Sequence, residues 1–102
     1  MSEKQEQFIK DLDTVLGNIR ELLIEKNRKY GDSALSPSRI FSRASSKEQL
    51  KVRIDDKLTR LANQEPDEDE DCIADLTGYL IIYKIAELRE KKEGSNNADV
   101  RL

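Results

Sequence analysis

The sequence predicts an all-α protein, and three observations carry that expectation. With no tryptophan, two prolines and four glycines in 102 residues, little of the composition favours a strand-and-turn fold. Phe8, Leu12, Val15, Ile19 and Leu22 recur at alternating four- and three-residue steps, which places them on one helix face. Ser2 followed by Gln5, and Ser45 and Ser46 followed by Glu48 and Gln49, have the spacing of capping boxes, so helix starts are marked as well as helix faces.

In chain order, the first predicted helix is long. Ile9, Leu16 and Leu23 widen its apolar stripe along one flank, beyond a simple two-stranded seam. At the next inward positions stand Lys26 and Tyr30, followed by Gly31, a residue suited to a left-handed helix cap. A polar connection, 32–36, leads to Ser36-Pro37, an N-cap with proline at the first helical position, and so to a brief connecting helix carrying Ile40 and Phe41. A medium helix is expected from about Lys47 to Asn63 on a stripe of Leu50, Ile54, Leu58 and Leu61. Arg53, Lys57 and Arg60 run down one border of that stripe, beside Asp56. Gln64 to Asp67 break the pattern, with Pro66 near the first turn of a last, long helix that reaches roughly Lys92. Around Tyr79 to Tyr83 that helix is apolar on nearly every side, which implies burial between helices or against a second subunit. Residues 1–93 are thus expected to form a single helical domain, and 94–102 a flexible tail.

Bulk properties restrict the function. A net charge of −3, from 18 basic and 21 acidic residues, argues against a general nucleic-acid binder. The absence of histidine removes the commonest general base and metal ligand, so any metal would need oxygen ligands. A single cysteine, Cys72, excludes an intramolecular disulfide and fits a reducing compartment. Neither a signal peptide nor an apolar run near the ~20 residues of a membrane span is visible. The expectation is a cytoplasmic protein with no membrane partner. Its small size favours completion by a second subunit.

Three groups of residues could carry chemistry. On a helix, Glu68, Asp71 and Asp75 would fall within about 60° of one another, continuous with apolar positions, and such carboxylates could hold Mg2+ through one or two oxygens. First-turn acids attracted by the helix dipole explain Asp67 to Asp71 equally well, whereas Asp75 is expected beyond that turn and in a buried, partnered position. The cationic rail of Arg53, Lys57 and Arg60 could grip phosphates, or it could be a solvated border satisfied by Asp56. Lys57 is placed to bury its stem, and a carboxylate of the last helix is its natural partner. Finally, Lys26 and Tyr30 beside Gly31 could offer a nucleotide a cation and a stacking surface, or Lys26 could simply snorkel at a bundle end. Gly-rich phosphate loops and Ser-His or Cys-His pairs are absent, and Cys72 reads as a small buried apolar residue.

Lys26-Asn-Arg-Lys-Tyr-Gly-Asp-Ser, Arg53-Ile-Asp-Asp-Lys-Leu-Thr-Arg-Leu and Glu70-Asp-Cys-Ile-Ala-Asp-Leu-Thr-Gly-Tyr resemble, in order, the motifs of the nucleotide modification associated domain 1 family, which is small, helical and common in phages. The resemblance spans roughly Lys26 to Ala86. That family is in turn similar to the all-α MazG-type and dimeric dUTPase-type nucleoside triphosphate pyrophosphatases, whose helical cores bind nucleotides and Mg2+. The resemblance implies a MazG-like helical bundle completed by homo-oligomerisation. It further implies a phage-encoded protein of the host cytoplasm that handles or sequesters a modified or signalling nucleotide, as in counter-defence. Lys26, Tyr30, Arg53, Lys57 and Arg60 would contact the ligand, and Asp71 and Asp75 would face Mg2+ or the lysines. The alternatives are a Mg2+-dependent nucleoside triphosphate pyrophosphohydrolase in which Asp75 helps to hold the metal, and a non-catalytic structural oligomer. The enzymes carry Glu-Glu-x-x-Glu answered by Glu-x-x-Asp; here the partner positions hold Asp55, Asp56 and Lys57, a set that favours binding over activation of water.

Overall fold

The computed structural model describes residues 1–63 and 71–100, with residues 94–100 as backbone only. Among the described residues the regular structure is three helices, α1 (Glu3–Tyr30), α2 (Ser46–Ala62) and α3 (Cys72–Val100), and the fold is all-α. The helices fall into two compact units, Met1–Asp32 and Ser33–Leu102.

The first unit is α1 with its two ends. Ser2 caps it, its hydroxyl accepting from the Gln5 amide at 3.2 Å, an interaction worth about 1 kcal/mol. Glu3 and Glu6 in the first turn and Arg28 and Lys29 in the last complement the helix dipole. The helix ends at Gly31, with φ 67° and ψ −155°. That combination is more extended than the left-handed cap expected, and it lies in a region open essentially to glycine alone. The Asn27 side-chain amide donates to Asp32 Oδ1 at 3.1 Å and clips the turn. No residue of α1 is buried: Phe8, Leu12, Val15 and Leu16 are 63, 41, 54 and 49% exposed.

The second unit is an antiparallel pair, α2 on α3. The connecting helix expected around Ile40 and Phe41 does not form. Residues 37–45 run as bends and irregular backbone, and the two side chains are 80 and 99% exposed. So short a segment could not repay helix nucleation without an apolar surface to pack on. The Ser42 hydroxyl instead accepts the Ala44 amide at 3.2 Å. Ser45 then caps α2, its Oγ accepting from the Glu48 amide at 3.2 Å, as the sequence signal implied.

On α3 both boundaries move. The expected break at 64–67, Pro66 and the acids Asp67, Glu68 and Glu70 lie outside the described residues. The helix begins at Cys72, with Asp71 as its cap residue. At the other end helical backbone passes the expected stop near Lys92 and reaches Val100. A glycine such as Gly94 costs a helix about 1 kcal/mol without obliging it to end. Between α2 and α3 the buried residues are Leu50 and Lys57 on one side and Gly78 and Ala86 on the other. The two small residues lie about two turns apart on α3.

Candidate functional site

The face that α2 turns toward α3 is rotated from the one its apolar pattern suggests. Leu58 and Leu61, assigned to the core stripe, are 49 and 37% exposed, whereas Lys57, assigned to the border, is buried. Opposite Lys57, α3 presents Asp75, and a buried cation needs such a partner because a charge left buried and unpaired is costly. Lys57 Nζ lies 3.4 Å from Asp75 Oδ2, with side chains only 10 and 20% exposed. The Lys57 carbonyl also accepts a weak bond from the Cys72 thiol at 3.4 Å. The pairing of Lys57 with a carboxylate of the last helix is the one the sequence suggested.

One turn back along α2 and one turn on along α3 the same face continues. The Arg53 guanidinium stands over the Tyr79 ring, 5.9 Å from its centroid. A further turn along α3, Lys47 Nζ lies 5.3 Å from the Tyr83 centroid and 3.3 Å from Glu90 Oε2. The Lys47 amine is held above its ordinary pKa, first by the hydrogen bond to Glu90 and then by the charges around it, burial opposing. The seam between the helices is therefore a ladder of cations from α2 against aromatic and carboxylate groups of α3. Sequence reasoning missed Tyr79, Tyr83, Lys47 and Glu90. Tyr79 and Tyr83 are four residues apart, and Arg53 and Lys57 are too, so the signal was present, but only the antiparallel register sets one against the other.

Within the second unit, Arg60 and Asp71 have local partners of their own. Arg60 is paired within its own helix, its Nε 3.7 Å from Asp56 Oδ2, with side chains 42 and 61% exposed, which matches the solvated-border alternative. Asp71 Oδ1 accepts the Ala74 amide at 2.9 Å, so this carboxylate is the N-cap of α3. Because α3 starts at Cys72, the three-acid helical stripe is not formed as drawn: Asp71 precedes the helix, Glu68 lies outside the described residues, and Asp75 sits in the first turn instead of beyond it. Asp75 thus lies both in the first turn of α3 and beside Lys57.

Lys26 and Tyr30 belong to the first unit, at the end of α1. Tyr30 is 62% exposed, with Lys29 Nζ 5.2 Å from its ring centroid. Nearby, Arg28 Nε donates to Glu25 Oε2 at 3.0 Å, which lowers the Glu25 pKa and raises that of Arg28.

As a donor set for Mg2+, the described residues fit poorly. One carboxylate serves a backbone amide and the other an ammonium group, and no three Asp, Glu or Cys residues among those described converge as metal ligands. No helix among the described residues is long and apolar enough to cross a membrane. No protein-family model, curated protein or solved structure matches the chain.

Proposed function

We propose that this chain binds a nucleotide or a related phosphate ligand without hydrolysing it. The observation that carries the proposal is the Arg53–Tyr79 contact. The guanidinium carbon lies 5.9 Å from the ring centroid, and a guanidinium beside a ring keeps N–H donors that can fork a phosphate. Lys57, a turn away, adds positive charge within a seam that Asp75 keeps assembled. A binding role is favoured over Mg2+-dependent pyrophosphohydrolysis because Asp75 faces a lysine and Asp71 caps a helix. By its resemblance the protein would be phage-encoded and would act in the host cytoplasm, on a modified nucleotide or on a signal used in defence.

A second reading, a structural helical oligomer, is favoured by the exposed apolar side chains of α1. One panel separates the possibilities: thermal shifts with mono-, tri- and cyclic nucleotides, with and without Mg2+, followed by mass spectrometry of each mixture. A ligand at a hundred times its dissociation constant adds about 2.7 kcal/mol of stability. A shift with the ligand recovered intact, lost in Arg53→Ala, supports sequestration. Pyrophosphate release that disappears in Asp75→Asn supports the hydrolase. No shift with any nucleotide leaves the structural oligomer.

A further inference from the structure

Between α1 and α2 the backbone of residues 37–45 is irregular, and every residue from Ser38 to Arg43 is exposed. Ile40 and Phe41, the largest apolar side chains there, are 80 and 99% exposed. The segment holds Arg39 and Arg43, and no carboxylate stands between Asp32 and Glu48. An endopeptidase cleft binds its substrate as extended chain, so an exposed run without helix or strand can enter one, whereas a helix must first unwind. We propose that the Arg39–Ile40 peptide bond is a cleavage site for an endopeptidase of trypsin-like specificity, whose cut parts α1 from the α2·α3 pair.

The choice of bond follows from what holds its neighbours. Arg43 precedes Ala44, which is half-buried; the Ala44 amide donates to Ser42 Oγ at 3.2 Å and its carbonyl accepts from Gln49 Nε2 at 2.9 Å. The Arg43–Ala44 bond is thereby tied to the start of α2. At Arg39–Ile40 both residues are exposed, and so are Ser38 before them and Phe41 after them. Arg20, Arg28, Arg53, Arg60 and Arg89 stand within helices, whose backbone bonds must open before a cleft can close on the chain. An acidic specificity pocket accepts the Arg39 guanidinium, and the lack of acids from 33 to 47 leaves nothing on the segment to repel it. Ile40 and Phe41 offer the cleft apolar side chains beyond the cut. Hydrolysis adds one water across the bond, leaving Arg39 with a carboxylate and Ile40 with an ammonium group. The break falls ahead of the Ser45 cap, so α2 keeps its N-terminus.

The test is a time course of the native full chain with a trace of an arginine-specific endopeptidase, read by intact-mass spectrometry. The first cut among the described residues should yield 1–39 and 40–102, and 40–102 should then persist. Arg39→Gln should slow that cut at least about a hundredfold, because the pocket's carboxylate is left unpaired, while Arg43→Gln should change it by less than about twofold. Leu50→Ala, which loosens the α2·α3 pair at its buried leucine, should also leave the rate within about twofold. A cut that required unfolding would instead accelerate more than about tenfold in that variant. The inference is overturned by a first cut at Arg43–Ala44 or inside a helix, by no cut, or by prompt loss of 40–102. An unchanged rate in Arg39→Gln or acceleration by Leu50→Ala overturns it equally.

Discussion

The two units of this molecule use the same residue types in opposite ways. In the first, α1 carries a regular apolar stripe and buries none of it, while its charges stay on its own surface, as in Arg28 with Glu25. In the second, α2 leaves part of its apolar stripe exposed and buries a lysine. The difference lies in what faces each helix. Opposite α2 stands a surface with Asp75, Tyr79, Tyr83 and Glu90 in register, which makes buried or half-buried cations tolerable. A strong amphipathic pattern therefore marks a face that needs a partner without showing that one is supplied, and a charge at the edge of a weaker pattern can be the buried element.

The largest expected effect breaks the second unit at its ion pair. Lys57→Ala leaves Asp75 desolvated without its cation and should cost about 2–4 kcal/mol, measured by urea denaturation. Asp75→Ala should cost less, because a cation on a long stem can reach water, and the double variant should cost less than the sum of the two. Additive losses would show that the pair is not coupled.

Next in size is the end of the first unit. Gly31→Ala forces a Cβ into a backbone region that only glycine occupies comfortably and should cost about 1–3 kcal/mol locally. Faster amide exchange confined to the last turn of α1 would be the sign, with α2 and α3 unaffected. Unchanged exchange would mean that the turn has another conformation of similar energy.

Smaller again is the cap of α3. Asp71→Ala should cost about 1 kcal/mol, and Asp71→Ser should recover most of it, because a hydroxyl can accept the Ala74 amide. A carboxylate needed for a metal would not be replaced by serine, so the serine variant with and without Mg2+ sharpens the assignment of Asp71.

The smallest effect is a pH dependence of the outer end of the α2·α3 seam. Lys47 has its pKa raised above the ordinary 10.5 by Glu90, so its contribution is complete below that value and is lost as pH rises through the higher folded value. Glu90→Gln should remove that dependence in thermal melts taken across the alkaline range, with little change at neutral pH.

Some of this was legible in the chain of letters and some was not, for physical reasons. Helix class, the starts at Ser2 and Ser45 and the glycine requirement at position 31 depend on local backbone groups and on spacing within a few residues, which sequence records directly. The partner of Lys57 was legible as a type, a carboxylate on the last helix, because a half-buried ammonium group demands one. The absent helix at Ile40 and Phe41 depended on an apolar surface that the fold does not offer there, and the N-terminus of α3 on a cap that Asp71 could satisfy as well as Ser or Thr. By itself, then, the sequence determined the helices and which side chains would be costly to leave alone. Only tertiary structure decided which face of α2 is buried and that Arg53 meets Tyr79, because those outcomes depend on the register between two helices, and register is a property of the pair.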